Sequence, residues 1–595
     1  MPVPDVGARS GRRRLLTLAV AAVTLSLVMP AGALAAKPPT TPPHAVNVQL
    51  LAINDFHGNL QPPTGSSGRV GVADSDTLCT AAGPATCVLA GGVAYLADDI
   101  KDLEATNPGN TLVVAAGDSI GGTPLISAAF HDEPTIEALN LLGLDISAVG
   151  NHEFDEGVDE LLRIQNGGCH PTDGCQTGHT YGGANFDFLA ANVVYKDTGE
   201  PILPASKVET IDGVKVGFIG LTLEGTNLIV SPAGIQDVNF LDEAATINAA
   251  TADLRSQGVK TIVVLIHEGG AQSVGLNPGT TDTCTGMSGA IVDIVSNLDA
   301  RADMVVSGHT HNAYNCRLPN SEGALIPVSS SSSFGRLVTD IDLKINAKSG
   351  RPMQIAVDNK IVVRDDQDAA AADLVSNYQT LVAPIANRVV GSITATITRA
   401  GDAEGESALG DVIADAQLAW SQAAGADIAF MNPGGIRTDL VFDAPVGTGG
   451  IVTFGEAFAV QPFNNLVVTQ DMTGAQIKAV LEQQWAACTP PGRSQNATVI
   501  LQVSAGFTYS YSESQACGSR ISNMMLGTTP IDPAAIYQVT ANNFLADGGD
   551  SFPAFAVGTN RVFAPQFDVD ALAAYLGGPT APIAPGPQNR ITELP

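Results

Sequence analysis

The sequence predicts an α/β protein of at least two domains, and three observations carry that expectation. The chain has 595 residues, whereas a single hydrophobic core rarely grows past about 250–300. Short unbroken apolar runs alternate with helical stretches, the pattern of strands buried on both faces with helices covering them. A helical segment, residues 366–390 (DQDAAAADLVSNYQTLVAPIANRVV), joins one such series to a second unit.

Taken in order, the N-terminus reads as a leader. Arg12, Arg13 and Arg14 precede an apolar run from Leu15 to Val28 and then small residues. That is the layout of a secretory signal peptide spanning residues 1–36, with cleavage after Ala35. The run is short for a membrane span, so an uncleaved anchor is the weaker alternative. The arginines also admit twin-arginine export, although RRRLL matches that signal loosely. The proline-rich AKPPTTPPHA that follows is a stiff spacer.

Strands are expected at VNVQLLAI, TLVVAA, ISAVG, VKVGFIGL, TIVVLI and ADMVVS, with a late strand and turn at DLKINAKSG. Beyond the linker helix the second unit has a helix at GESALGDVIADAQLAWSQ and a strand at ADIAFMN. A further helix, TGAQIKAVLEQQW, has Thr473 as its N-cap, and IYQVTANNF is a strand. Neither an internal repeat nor a C-terminal apolar tail is expected.

Charge narrows the partners. With 60 acidic against 29 basic residues the net charge is −31, which opposes binding to nucleic acid polymers. A small anionic substrate remains compatible if local cations overcome the global repulsion. Export makes the eight cysteines readable as disulfides. Sequential pairing (79–87, 169–175, 284–316 and 488–517) closes the shortest loops, and with no CxxC a thiolate zinc site is not expected.

The chemistry is concentrated where strands end. Five predicted buried strands run into polar residues of metal-ligand type: LLAI into NDFHG, LVVAA into GDS, ISAVG into NHEFD, IVVLI into HEGG, and DMVVS into GHTH. Each alone suits a capped turn or a satisfied core histidine. Together they fall at the carboxyl ends of strands, where α/β sheets bind their ligands.

In this order and spacing, DFHG, GDS, GNHEFD, HEGG and GHTH resemble the calcineurin-like dimetal phosphoesterases. Downstream, NPGGIR, QPF and NNFLADGGDSF resemble the C-terminal domain of secreted 5′-nucleotidases. The resemblance implies a four-layer α/β/β/α metallophosphoesterase domain over residues 46–365, the linker helix 366–390, and an α/β nucleotide-specificity domain over 391–595. It implies two divalent ions, Zn²⁺ or Mn²⁺ foremost, with Mg²⁺, Co²⁺ or Ca²⁺ admitted. Asp55, His57 and His311 hold one, Asn151, His267 and His309 the other, and Asp118 bridges both. Such a pair activates water near neutral pH for in-line attack on phosphorus.

The same resemblance gives His152 and Asp155 the catalytic roles: His152 faces the phosphate, and Asp155 orients its ring and favours the charged form. Glu153 and Glu156 receive no role. Arg437 clamps phosphate, Phe463 and Phe544 sandwich the base, Asp550 binds the ribose hydroxyls, and Asn432 contacts the base or supports its loop. Two departures matter. Some relatives carry glutamine at the position of His311, and imidazole favours later transition metals. Some carry arginine at the position of Gly405, and Arg399 lies nearby in sequence as a candidate to replace it. The expected activity is hydrolysis of nucleoside 5′-monophosphates to nucleoside and phosphate. The rivals are a 2′,3′-cyclic phosphodiesterase/3′-nucleotidase, a UDP-sugar or dinucleotide pyrophosphatase, and an inactive nucleotide-binding surface protein.

Overall fold

A buried strand, Thr261–His267, shows why the N-terminal part is layered. All seven of its residues are buried, and because side chains alternate between faces, both faces need cover. The structure is a computed structural model that describes residues 44–71, 87–277, 279–299, 302–442, 449–488 and 498–595. The expected signal peptide and the Cys79–Cys87 pairing lie outside the described residues.

Two six-stranded sheets stack face to face. The first runs Pro352–Ile361, Leu337–Asn346, Ala45–Ile53, Thr111–Ala116, Leu144–Ala148 and Asp187–Leu189. Its last four strands are parallel, and the 337–361 hairpin joins antiparallel to Ala45–Ile53. The second runs Ala313–Pro319, Leu325–Ser331, Met304–Ser307, Thr261–His267, Val214–Thr222 and Ser206–Ile211, with its four central strands parallel.

Between the sheets, Val48, Leu50 and Val114 meet Val263, Leu265 and Val306. The alternate residues Leu51, Ile53 and Val113 face outward onto Leu96, Ile100, Ile136 and Leu139 of the helices Val93–Glu104 and Glu133–Leu141. On the far side Ile262, Val264 and Ile266 pack on Ile247 and Leu254 of the helix Glu243–Ser256 and on Ile291 and Val295 of Ala290–Ser296. Four layers result, as expected.

The linker helix spans Ala369–Ala386, with the Asp368 side chain accepting from Ala371 N at its start. It buries Val375, Tyr378 and Val382, and Tyr378 Oη donates to Glu137 Oε2 at 2.9 Å. Beyond it a five-stranded sheet runs Gln502–Val503, Ile428–Met431, Ile536–Asn542, Leu466–Thr473 and Thr559–Phe567. The helices Ala408–Trp420 and Asp568–Leu576 contribute to the core on one side of it. Gly474–Glu482 covers the other, begun by the expected Thr473 cap in a reciprocal capping box with Gln476.

Cys169–Cys175, Cys284–Cys316 and Cys488–Cys517 are disulfides. Among the described residues no helix is long and apolar enough to cross a membrane.

Candidate active site

Parallel strands of both sheets end on one edge, and the polar residues gather there. Asp55 follows the strand ending at Ile53, Asp118 the one ending at Ala116, and Asn151 the one ending at Ala148; His267 closes its own strand and His309 follows Ser307. Asp55, His57, Asp118, His309 and His311 all have left-handed backbones, with φ of 50°, 46°, 50°, 70° and 56°. Such conformations cost about 1–3 kcal/mol each in an L-residue and persist where surrounding structure imposes them. Here they turn the side chains inward.

Asp118 Oδ2 lies 2.9 Å from His267 Nε2 and 3.6 Å from His57 Nε2, so one carboxylate faces both halves of the cluster. Asp55 Oδ1 lies 3.2 Å from His311 Nε2, and His311 Nε2 is 3.2 Å from His57 Nε2. The far ring nitrogens are tied back: His57 Nδ1 is 2.8 Å from Gly121 O, and His267 Nδ1 is 2.8 Å from Ala116 O. Anchoring one imidazole nitrogen on a carbonyl aims the other at a common centre, as metal-binding histidines require.

These residues fit divalent ions. Asp55, His57 and His311 bring their donor atoms within 4.8 Å of one another, and Asp118, His267 and His309 do the same. Asn151 Oδ1 is buried without a hydrogen-bond partner, and His267 Nε2, though close to Asp118, is out of hydrogen-bond alignment. Buried polar atoms are rarely left so, and a cation between them satisfies both.

Electrostatics agree. Burial opposes ionisation of Asp118, yet His267 and the neighbouring histidines hold its pKa well below the carboxylate range. Burial, helped by His267, pushes His309 down to about 4. Burial and the Arg437 charge push His57 down as well. Burial works against a charged His267 too, but Asp118 pulls it up to about 10.

His152 Nδ1 lies 2.8 Å from Asp155 Oδ2, and its backbone N–H donates to Asp118 Oδ1 at 2.9 Å. Burial disfavours the imidazolium, but Asp155 and Asp118 outweigh it and raise the pKa. Glu153, given no role from sequence, is buried and ties two loops together. It accepts from Asp118 N at 3.0 Å, from Ser119 N at 2.7 Å and from Gly150 N. Burial and the Asp118 charge raise its pKa to about 7, against the pull of those N–H groups.

A second missed element is the serine tract before Phe334. Asn54 Nδ2 donates to Ser332 O at 2.6 Å, and Asn54 Oδ1 accepts from Ser331 N at 2.7 Å. Phe334 N donates to Asp55 O at 2.8 Å, and its ring stands 5.3 Å from that of His311. The only sequence signal was a run of small polar residues after a strand.

The C-terminal sheet supplies the opposite wall of a cavity of about 370 Å³. Asn432, Arg437, Phe463, Phe544 and Asp550 line it, across from Asn151, His152, Asp155 and His309. Phe463 lies nearly parallel to the His152 ring, 5.6 Å away at 19°. Asn432 Nδ2 donates to Asp550 Oδ2 at 2.7 Å while its Oδ1 accepts from Asn542 at 3.0 Å; Asn432 thus positions Asp550. Phe544 lies in the short helix Asn543–Ala546, capped by the Asn542 side chain. The Gly549 backbone lies so close to its ring that a Cβ there would come within 2.5 Å. Neither phenylalanine is a core residue: both are half-buried.

Arg437 Nη2 reaches to 3.3 Å from His57 Nε2. Arg399 does not line the cavity. Its Nη1 donates to Ile436 O at 3.1 Å, bracing the Arg437 loop. A Cβ on Gly405 would come within 2.7 Å of Ile500, so that position has no room for a longer side chain. The residues singled out from sequence therefore form one continuous cluster.

Comparison with known proteins is consistent with this arrangement. Residues 48–313 match the family model for calcineurin-like phosphoesterases, and residues 385–557 that for the 5′-nucleotidase C-terminal domain. Cell wall protein Lmo0130 of Listeria monocytogenes is 33% identical over 586 residues, covering 94% of this chain and 70% of that protein. Endonuclease YhcR of Bacillus subtilis is 32% identical over 561 residues, 93% of this chain; the chain spans only 41% of its length. Among solved structures, a 5′-nucleotidase precursor from Thermus thermophilus superposes with a TM-score of 0.72 at 25% identity, covering 92% of this chain and 99% of that one.

Proposed function

Because the chain belongs to the 5′-nucleotidase family of calcineurin-like phosphoesterases, we propose that it is an exported dimetal phosphohydrolase converting nucleoside 5′-monophosphates to nucleoside and phosphate. The observation that carries the reading is a cavity lined on one side by Asn151, His152 and His309, at the edge of the cluster around Asp118, and on the other by two half-buried phenylalanines and Arg437.

Asp55, His57 and His311 would hold one cation and Asn151, His267 and His309 the other, with Asp118 shared. Zinc or manganese suits this set of imidazole, carboxylate and amide donors. Two such ions lower the pKa of water and offset charge on the phosphoryl oxygens.

The chain's own side chains do the rest. Arg437 offers a planar fork to the phosphate dianion, and burial strengthens that contact. His152, whose charged form Asp155 favours, donates an N–H to the phosphoryl group and is placed to protonate the leaving oxygen. Phe463 and Phe544 stack on the base, which tolerates any nucleobase. Asp550, steadied by Asn432, accepts from the ribose hydroxyls. The linker 366–390 serves as the hinge on which the C-terminal domain carries nucleotide to the metals; an engineered disulfide locking the two domains then abolishes turnover.

A phosphodiesterase reading draws on the relative named as an endonuclease, but a net charge of −31 opposes polynucleotides. A 3′-nucleotidase or a pyrophosphatase would use the same cradle. Phosphate release from AMP, 3′-AMP, 2′,3′-cAMP, UDP-glucose and ATP separates these. AMP as the best substrate by kcat/KM supports the proposal, and preference for a cyclic or pyrophosphate substrate overturns it. Absence of turnover on all five, with no bound metal and no rescue by Mn²⁺ or Zn²⁺, favours an inactive nucleotide-binding protein.

A further inference from the structure

We propose that His131, Glu156, Glu160 and His170 form a third metal site, separate from the cluster around Asp118, that takes one divalent transition ion of the zinc class. Their donor atoms all lie within 4.8 Å of one another, the same convergence found at Asp55, His57 and His311. Two imidazoles with two carboxylates make a four-donor set of the kind zinc and its neighbours accept tetrahedrally.

The donors come from separate segments that the fold brings together. His131 sits in the turn before the helix Glu133–Leu141, a turn fixed by buried Asp132, which accepts from Ser127, Thr123 and Gly121 N. Glu156 leaves the loop that carries His152, and Glu160 lies on the helix Val158–Asn166. His170 lies in the loop closed by Cys169–Cys175. Arg163 Nη1 holds the root of that loop at Gly168 O, at 2.7 Å.

His131 is surrounded by negative charge. Its Nδ1 is 2.9 Å from Glu156 Oε2 and its Nε2 is 2.9 Å from Asp173 Oδ2. The hydrogen bond to Glu156 outweighs burial and lifts its pKa to about 9. The His170 ring lies parallel to it, 3.7 Å away at 11°. A metal must lie in the plane of each imidazole it binds, so His170 turns about its Cβ–Cγ bond on coordination. His131 gives its proton to solvent in the same step, and the ion shares Glu160 with Arg163, which already donates to both its oxygens. Affinity therefore rises with pH, and binding releases a proton.

His131, Glu156 and Glu160 also line the catalytic cavity, and Glu156 adjoins Asp155, the partner of His152. An ion here tethers the His152 loop to the disulfide loop. Its role is positioning, without contact to substrate.

The test is the zinc content of the full-length protein after loading and gel filtration. About three zinc ions are expected per wild-type chain. His170→Ala and Glu156→Gln each hold one fewer. Asp118→Ala loses ions from the other cluster while keeping this one, so failure there counts against the dimetal reading and leaves this site standing. Wild type holding no more zinc than His170→Ala and Glu156→Gln overturns the proposal.

Discussion

Arg437 Nη2 stands 3.3 Å from His57 Nε2, although 380 residues separate them in sequence. This contact joins the C-terminal wall of the cavity to the cluster around Asp118. Burial and the neighbouring Arg399 disfavour the charge on Arg437, a cost that a phosphate dianion offsets. Arg437→Ala is expected to lower kcat/KM for AMP by about 100-fold, roughly 2–3 kcal/mol for a charge-assisted contact. Arg437→Lys recovers only part, because the fork is lost. Steady-state kinetics check both; an unchanged kcat/KM contradicts the clamp.

The two phenylalanines should separate. Phe544 rests on Gly549 away from the metal cluster, so Phe544→Ala raises KM for AMP by about 10-fold or more, as expected for a lost base stack. Turnover of p-nitrophenyl phosphate stays within about twofold on the same reasoning. Phe463 also packs on His152, so Phe463→Ala lowers kcat on both substrates. Identical profiles for the two variants would contradict this division.

Glu153 is expected to matter without touching substrate. Its carboxylate accepts from backbone N–H groups of the Asp118 loop and of the loop that carries Asn151. Glu153→Gln turns one acceptor into a donor facing an N–H, a loss of about 1–3 kcal/mol. Lower Tm together with lower metal occupancy is the expected outcome, read by calorimetry and elemental analysis. A variant with wild-type metal content and Tm would remove this role.

The candidate site was legible in sequence because its residues sit where apolar strands stop. Asp55, Asp118, Asn151 and His267 each interrupt a run whose burial is unmistakable. Three of the four expected disulfides were legible because each joins cysteines that are neighbours in chain order. The supporting residues were not. Glu153 acts through backbone N–H groups, and Asn54 through a serine tract 278 positions away, so no local pattern marks either. The stacking of His131 on His170 depends on the path of a loop between them. The linker helix begins at Ala369 where Asp368 caps it, later than the helical pattern alone suggests. IYQVTANNF is strand only to Asn542, whose side chain caps the next turn and delivers Phe544 to the cavity.

A pH effect on stability follows from Asp568, buried beneath the loop that carries Phe463, with Gln461 Nε2 3.4 Å from its Oδ2. Burial raises its pKa to about 7. The native state then binds a proton that the unfolded state releases near pH 4, so stability falls as pH rises from about 4 to 7. Asp568→Asn removes that dependence. Its Tm should exceed the wild-type value at pH 8, by the equivalent of up to roughly 4 kcal/mol, and converge with it near pH 4. Parallel Tm curves across that range would contradict the burial argument.

The dimetal centre is tested most directly by anomalous diffraction from crystals loaded with manganese or zinc. The account predicts two peaks about 3.5–4 Å apart, both within bonding distance of Asp118, one ringed by Asp55, His57 and His311 and the other by Asn151, His267 and His309. A single peak there, or two peaks that do not share Asp118, would contradict it.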